Sequence, residues 1–218
     1  MKTDPRAPRL KHTASAEATA AAGVTALHTA HCLASGEVMV STMGDADGYA
    51  RGDFLLLDQE LKIKGKWSAE SDAFGYDFWY APRHNVMLST GWGAPRAFRK
   101  GFDPADVAAG PYSSSITVWD WAERRVAQRL ELGEDGRIPL EVRFLHDPAA
   151  AVAFVGAALG SNVIRVAKAE GGGDGGKWAA SVAIRQEWLD VEGWALPRMP
   201  PLITDILISM DDKYLYFR

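Results

Sequence analysis

Three stretches of this sequence read strand, tight turn, strand at nearly the same interval, and few folds are open to a chain built that way. Gly75 to Leu88 turns at Pro82-Arg83-His84-Asn85, Leu140 to Gly156 turns at Asp147-Pro148, and Leu202 to Phe217 turns at Met210 to Lys213. The turns are 66 residues apart from Pro82 to Pro148 and 64 from Pro148 to Asp212. The opening stretch fits the same template. Ala34-Ser35-Gly36 is its turn, and Val38-Met39-Val40-Ser41-Thr42 matches Val86-Met87-Leu88-Ser89-Thr90 at an offset of 48. Runs of Val, Ile, Leu, Phe, Trp and Tyr broken by Gly, Asp-Gly, Pro-Arg and Asp-Pro predict strands and turns throughout, and helical periodicity of useful length is absent.

Each unit adds two more strands. Phe54 to Asp58, Ile116 to Asp120 and Val163 to Val166 are the third strands; Leu61 to Trp67, Val126 to Leu132 and Trp178 to Ile184 are the fourth. Four antiparallel strands per repeat predict an all-β chain of β-propeller blades, although the spacing exceeds the roughly 40–50 residues of the commonest propeller repeats. The excess falls in loops such as Gly91 to Ser115. The expected organisation is one incomplete propeller domain: an irregular lead-in over 1–24, in which Ala16 to Ala22 is either a short helix or a plain connection, then three blades and the first hairpin of a fourth over 25–218. A propeller closes into a ring, so a chain stopping at Arg218 inside a strand reads as a fragment of a longer protein.

Composition excludes several classes of function. The formal net charge is -4 and the 24 Lys and Arg residues are scattered, so no basic stripe tracks a phosphate backbone and nucleic acid is not an expected partner. The longest apolar runs, such as Ala149 to Leu159, fall far short of the roughly 20 residues a membrane span needs. A single cysteine makes no internal disulfide, and the start MKTDPRAPRLKH lacks the apolar run of a signal peptide, so the expected location is the cytoplasm.

Chemistry concentrates in His28-Thr29-Ala30-His31-Cys32, which puts two imidazoles and the only cysteine within five residues. Imidazole and thiolate bind copper and zinc, and a thiol also holds selenium; ordinary packing is the alternative. In a propeller the first strand of each blade lines the central channel. The first strands here carry His28 and His31, Asp77, Glu141 and Asp205, and carboxylates so placed are wet, paired or bound to a cation. His84 and His146 fall in the turns after the first strands, toward the same end of the channel as His31, where the three form a candidate metal mouth. His28 and His31 are three residues apart, which points them to opposite faces of a regular strand unless a bulge intervenes.

Other motifs are weaker. Gly171 to Gly176 satisfies G-x-G-x-x-G with no helix after it. Asp45-Ala46-Asp47-Gly48 starts like a calcium loop but has Leu56 where the bidentate glutamate belongs. Arg51-Gly52-Asp53 reads as a chance tripeptide, and most of the eight tryptophans are expected to pack between blades.

The chain resembles the selenium-binding proteins, a family that includes the methanethiol oxidases. The resemblance is carried by Asp4-Pro5-Arg6, His28 to Met39, Gly75 to Tyr80 with Pro82 to Met87, Gly101-Phe102 with Pro104 to Val107, Val118 to Trp121, Ile138 to His146, and Leu202 to Leu207. It implies a seven-bladed ring and a copper-dependent oxidation of methanethiol by oxygen and water to formaldehyde, hydrogen sulfide and hydrogen peroxide. Together with the local chemistry it makes His28, His31, His84 and His146 the candidate copper ligands. Asp77, Glu141 and Asp205 become partners that orient imidazoles or accept protons. The family's selenium-associated cysteine precedes the matched part, so Cys32 is not equated with it. Two other readings stand beside the enzyme: a non-catalytic propeller that binds selenium or a protein partner through its face, and an inactive truncated product.

Overall fold

A computed structural model describes residues 6–10, 12–101, 103–169, 176–193 and 197–218. The Gly171 to Gly176 run lies outside them except for Gly176. Three four-stranded antiparallel sheets follow one another along the chain. The first contains β1 (Thr25–Cys32), β2 (Val38–Gly44), β3 (Ala50–Leu57) and β4 (Ile63–Lys66) in that order. The second contains β5 (Phe78–Ala81), β6 (Val86–Ser89), β7 (Ser115–Asp120) and β8 (Arg125–Glu131); the third contains β9 (Pro139–Phe144), β10 (Val152–Ala157), β11 (Asn162–Lys168) and β12 (Trp178–Arg185). A short pair, β13 (Leu189–Asp190) and β14 (Arg198–Met199), leads to a last hairpin of β15 (Ile206–Ile208) and β16 (Leu215–Phe217). β5 packs on β9 and β9 on β15, so the first strands of successive sheets share an inner wall, as propeller blades require.

The cores lie between blades and follow the two-residue period of a strand. Val86 and Leu88 face the third blade, in an aliphatic core with Ile116, Val118, Val142, Val155 and Ile164. Met87, between them, faces the first blade with Met39, Phe54, Trp67, Phe78 and Trp119. Phe54 meets Trp67, Phe78 and Trp119 edge-on at centroid distances of 5.9, 5.3 and 5.4 Å. Trp119 is fully buried, and its indole N–H is satisfied by Ser89 Oγ at 2.8 Å. Trp67, Trp119 and Trp178 are thus interblade packing, as expected of them.

The lead-in holds a helix, α1 (Ala16–Ala21), capped by Ser15, whose Oγ accepts from Ala18 N at 3.1 Å. The Gly91 to Ser115 connection differs from an unstructured loop. It contains α2 (Pro95–Phe98) and α3 (Pro104–Ala109), the latter begun by Asp103 Oδ1 accepting from Ala105 N at 2.9 Å. Elements this short carry too few turns to show a helical period. Asp45 Oδ1 accepts from the N–H groups of Asp47 and Tyr49 at 3.0 and 2.9 Å, so the calcium-like sequence is an Asx turn joining β2 to β3.

Candidate functional site

The β1–β2 ladder pairs Leu27 with Thr42 and Ala30 with Val40, so His28 and Thr29 together oppose the single residue Ser41. That bulge shifts the side-chain alternation by one and puts His28 and His31 on the same face. Ser41 secures it, because Ser41 Oγ accepts from Thr29 N at 3.0 Å and donates to the Tyr76 carbonyl of the next blade at 2.5 Å. Both imidazoles lie against the aromatic edge of that blade. The His28 ring is 3.8 Å from Tyr76, and the His31 ring is 4.6 Å from Phe78, 4.7 Å from Trp79 and 5.6 Å from Tyr80. Gly75 lets the strand come this close: a Cβ there would stand 2.0 Å from the Thr42 carbonyl oxygen.

This setting favours the neutral form of both histidines. Shielding from water lowers the pKa of each, against the raising effect of the Asp77 charge; for His31 the Arg143 guanidinium lowers it further. A neutral imidazole offers a lone pair, the form that binds a metal. The His28 Nδ1 lies 2.9 Å from Thr29 Oγ1.

Two of the three inner-wall carboxylates are bonded between blades, and the third, Asp205, pairs with Arg218 at 3.3 Å. Asp77, 2% exposed, accepts from Val142 N at 2.9 Å and from Arg143 Nη1 at 2.8 Å. Glu141 Oε2 accepts from Arg143 Nη2 at 2.8 Å and from Ile206 N at 3.4 Å. The two carboxylate-to-amide bonds span the same 65 residues, so they are one device repeated in successive blades. Burial, followed by a hydrogen bond to Asp205, pushes the Glu141 carboxyl up to about 7, opposed by Arg143 and the Ile206 N–H. Burial and the charges of Glu141, Asp77 and Asp205 push the Tyr76 phenol up to about 12. Of the wet, paired and cation-bound alternatives, these residues show pairing. Among the described residues none of the three bonds an imidazole directly; Asp77 reaches His28 and His31 through its charge.

The remaining candidates stand apart. His84 closes the 3-10 turn Pro82–His84, and its Nε2 is buried without a partner, in a crevice between the second and third blades shared with Trp119, Gln128 and Trp178. His146 Nδ1 lies 2.8 Å from Asp212 Oδ1, and the Asp212 carboxylate also accepts the N–H groups of His146 and Asp147, each at 2.8 Å. His31, His84 and His146 do sit toward the turn ends of their first strands. Among the described residues, however, no three His, Cys, Asp or Glu side chains gather closely enough to hold a metal ion. Cys32 is exposed, and its carbonyl accepts the Tyr80 hydroxyl at 3.2 Å. Sequence reasoning missed Tyr76, Trp79 and Arg143, whose guanidinium lies 4.9 Å over the Trp79 ring. Arg143 had a signal, since it follows Glu141 by two residues and so shares its strand face.

Residues 1–218 match the family model described as 56kDa selenium binding protein. The chain belongs to this family. It is 56% identical to a methanethiol oxidase of Xenopus tropicalis, covering 99% of this chain and 46% of that one. It is 52% identical to the methanethiol oxidase of Homo sapiens and 52% identical to selenium-binding protein 2 of Mus musculus, each covering 99% of this chain and 45% of the other. A solved structure of a hypothetical selenium-binding protein from Sulfolobus tokodaii superposes with a TM-score of 0.90 at 30% identity, covering 99% of this chain and 49% of that one. A periplasmic gluconolactonase of Pseudomonas aeruginosa shares the fold alone, with a TM-score of 0.52 at 13% identity over 85% of this chain and 48% of that one. The chain thus spans about half the length of the relatives it matches. Among its described residues no helix is long and apolar enough to cross a membrane.

Proposed function

We propose that this chain contributes the first blades of a seven-bladed methanethiol oxidase, which converts methanethiol, oxygen and water to formaldehyde, hydrogen sulfide and hydrogen peroxide in the cytoplasm. The observation that carries the reading is the β1 bulge, which sets two neutral imidazoles on one face beside an aromatic wall. Relatives at 52–56% identity that are named methanethiol oxidase supply the substrate class, a small thiol.

The fit to copper is partial. His28 and His31 offer two nitrogen donors of the kind copper prefers; His84 adds a buried nitrogen without a partner, but in a separate crevice. The described residues assemble no third donor around the pair. What the chain's own groups do is clear from their placement. Tyr76 lies against the exposed His28 ring, Phe78, Trp79 and Tyr80 surround the half-buried His31 ring, and Asp77 and Arg143 set the charge beside them.

The test is methanethiol consumption by the full-length protein, with hydrogen sulfide and hydrogen peroxide measured together, before and after copper chelation. Equal yields of both products that vanish on chelation and return with copper support the reading. No consumption by copper-loaded protein overturns it. The incomplete donor set favours a second reading, a propeller that retains selenium or a protein partner without turnover, and that second outcome would point to it.

A further inference from the structure

Toward the turn ends of β5 and β9 the second and third blades part around a hollow of about 250 Å³. The rings of Trp79, Tyr80 and Phe144 line it, together with Ala81, Leu145 and Ala150. The two turn prolines at its exposed rim, Pro82 and Pro148, bring no backbone N–H to it. Other polar groups on its border are already engaged. Asp212 accepts the N–H groups of His146 and Asp147 and pairs with the His146 ring. The Asp147 carboxylate accepts from Ala149 N at 2.8 Å, and Leu145 N donates to the Val152 carbonyl at 3.1 Å. Arg83 and Asp147, both exposed at the rim, offset each other in charge.

A hollow so lined suits a small neutral guest that asks for few hydrogen bonds. Its three rings add a preference, because a polarisable sulfur is attracted to an aromatic ring at about 5 Å. A cavity of roughly 150 Å³ holds a guest the size of benzene, so there is room here for a thiol or thioether of a few carbons. Two of the rings also set its relation to the imidazole face. Trp79 and Tyr80 flank His31, at 4.7 and 5.6 Å between ring centroids. Both are held in place: the Arg143 guanidinium lies 4.9 Å over Trp79, and Tyr80 donates to the Cys32 carbonyl at 3.2 Å.

We propose that this hollow is the receiving site for a small thiol, which rests its alkyl group and sulfur on Trp79, Tyr80 and Phe144 and passes the edge of the first two rings to reach His31. The assignment of a thiol rests on the proposed methanethiol oxidation; the apolar site itself stands without it. Each added methylene buries more apolar surface, so affinity should rise roughly fourfold per CH2 until the hollow is full.

Unreactive thioethers separate binding from turnover. The full-length protein is titrated with dimethyl sulfide, ethyl methyl sulfide and methyl propyl sulfide, and the indole N–H resonance of Trp79 is followed. A saturable shift is expected, with a dissociation constant that falls roughly fourfold per methylene. Ala150→Phe fills the hollow and should weaken binding about tenfold or more; Ala150→Leu serves if the first variant does not fold. With methanethiol, Ala150→Phe should raise KM and leave kcat and bound copper unchanged. No saturable shift at Trp79, or binding that both variants leave intact, overturns the site. Thioether binding as expected, in a copper-loaded protein that consumes no methanethiol, keeps the apolar site and removes the oxidase reading. Normal consumption without a shift at Trp79 keeps that reading and removes the hollow from it.

Discussion

The seam between the first and second blades and the seam between the second and third are built from different materials. The first is aromatic, with Phe54, Trp67, Phe78 and Trp119 in edge contact, and its inner wall is tied by two hydroxyls, Ser41 to the Tyr76 carbonyl and Tyr80 to the Cys32 carbonyl. The second is mainly aliphatic, with Phe144 and Trp178 among its Val, Leu and Ile side chains, and is tied on its inner wall by the buried Asp77–Arg143 pair. The difference teaches where a ligand has room. Charge locks the wall at the second seam and uses up its polar groups, whereas the first leaves two imidazoles against aromatic rings, with His28 Nδ1 2.9 Å from Thr29 Oγ1.

Breaking the charged tie should cost most. Asp77→Ala strips Val142 N and leaves Arg143 short of a buried partner, which is expected to destabilise by about 3–5 kcal/mol in a denaturant titration. Leu88→Ala, in the aliphatic core of the same seam, should cost about 2–5 kcal/mol through the cavity it leaves. Ser41→Ala removes one of the two hydroxyl ties of the aromatic seam and should cost about 1–3 kcal/mol, by leaving Thr29 N and the Tyr76 carbonyl without that partner. A loss from Ser41→Ala equal to that from Asp77→Ala would erase the contrast. Arg185→Ala, at an exposed pair with Asp135 on the outer strand, should change stability by about 1 kcal/mol or less, since both side chains are near half exposed.

The repeat, the strand order and the three-blade-plus-hairpin count were legible because each rests on a period of two and on turn dipeptides, both local signals. The inner-wall placement of Asp77, Glu141 and Asp205 followed from the same repeat. Their pairing did not, because it depends on which way Arg143 reaches across a seam. The shared face of His28 and His31 could be stated only as a condition, since a bulge is a property of register, set here by Ser41 standing opposite two residues of β1. His84 and His146 were correctly placed in turns after first strands, but ring direction in a turn depends on its backbone. A 3-10 turn sends His84 into a crevice, and Asp212 from the next blade captures His146.

The most direct test of the imidazole face is His31→Ala in the full-length protein, with methanethiol turnover and bound copper measured beside Arg185→Ala as a control. The bulge-centred site predicts that His31→Ala loses at least about a hundredfold in turnover, together with copper, while the control keeps both. Unchanged turnover and copper in His31→Ala would contradict it.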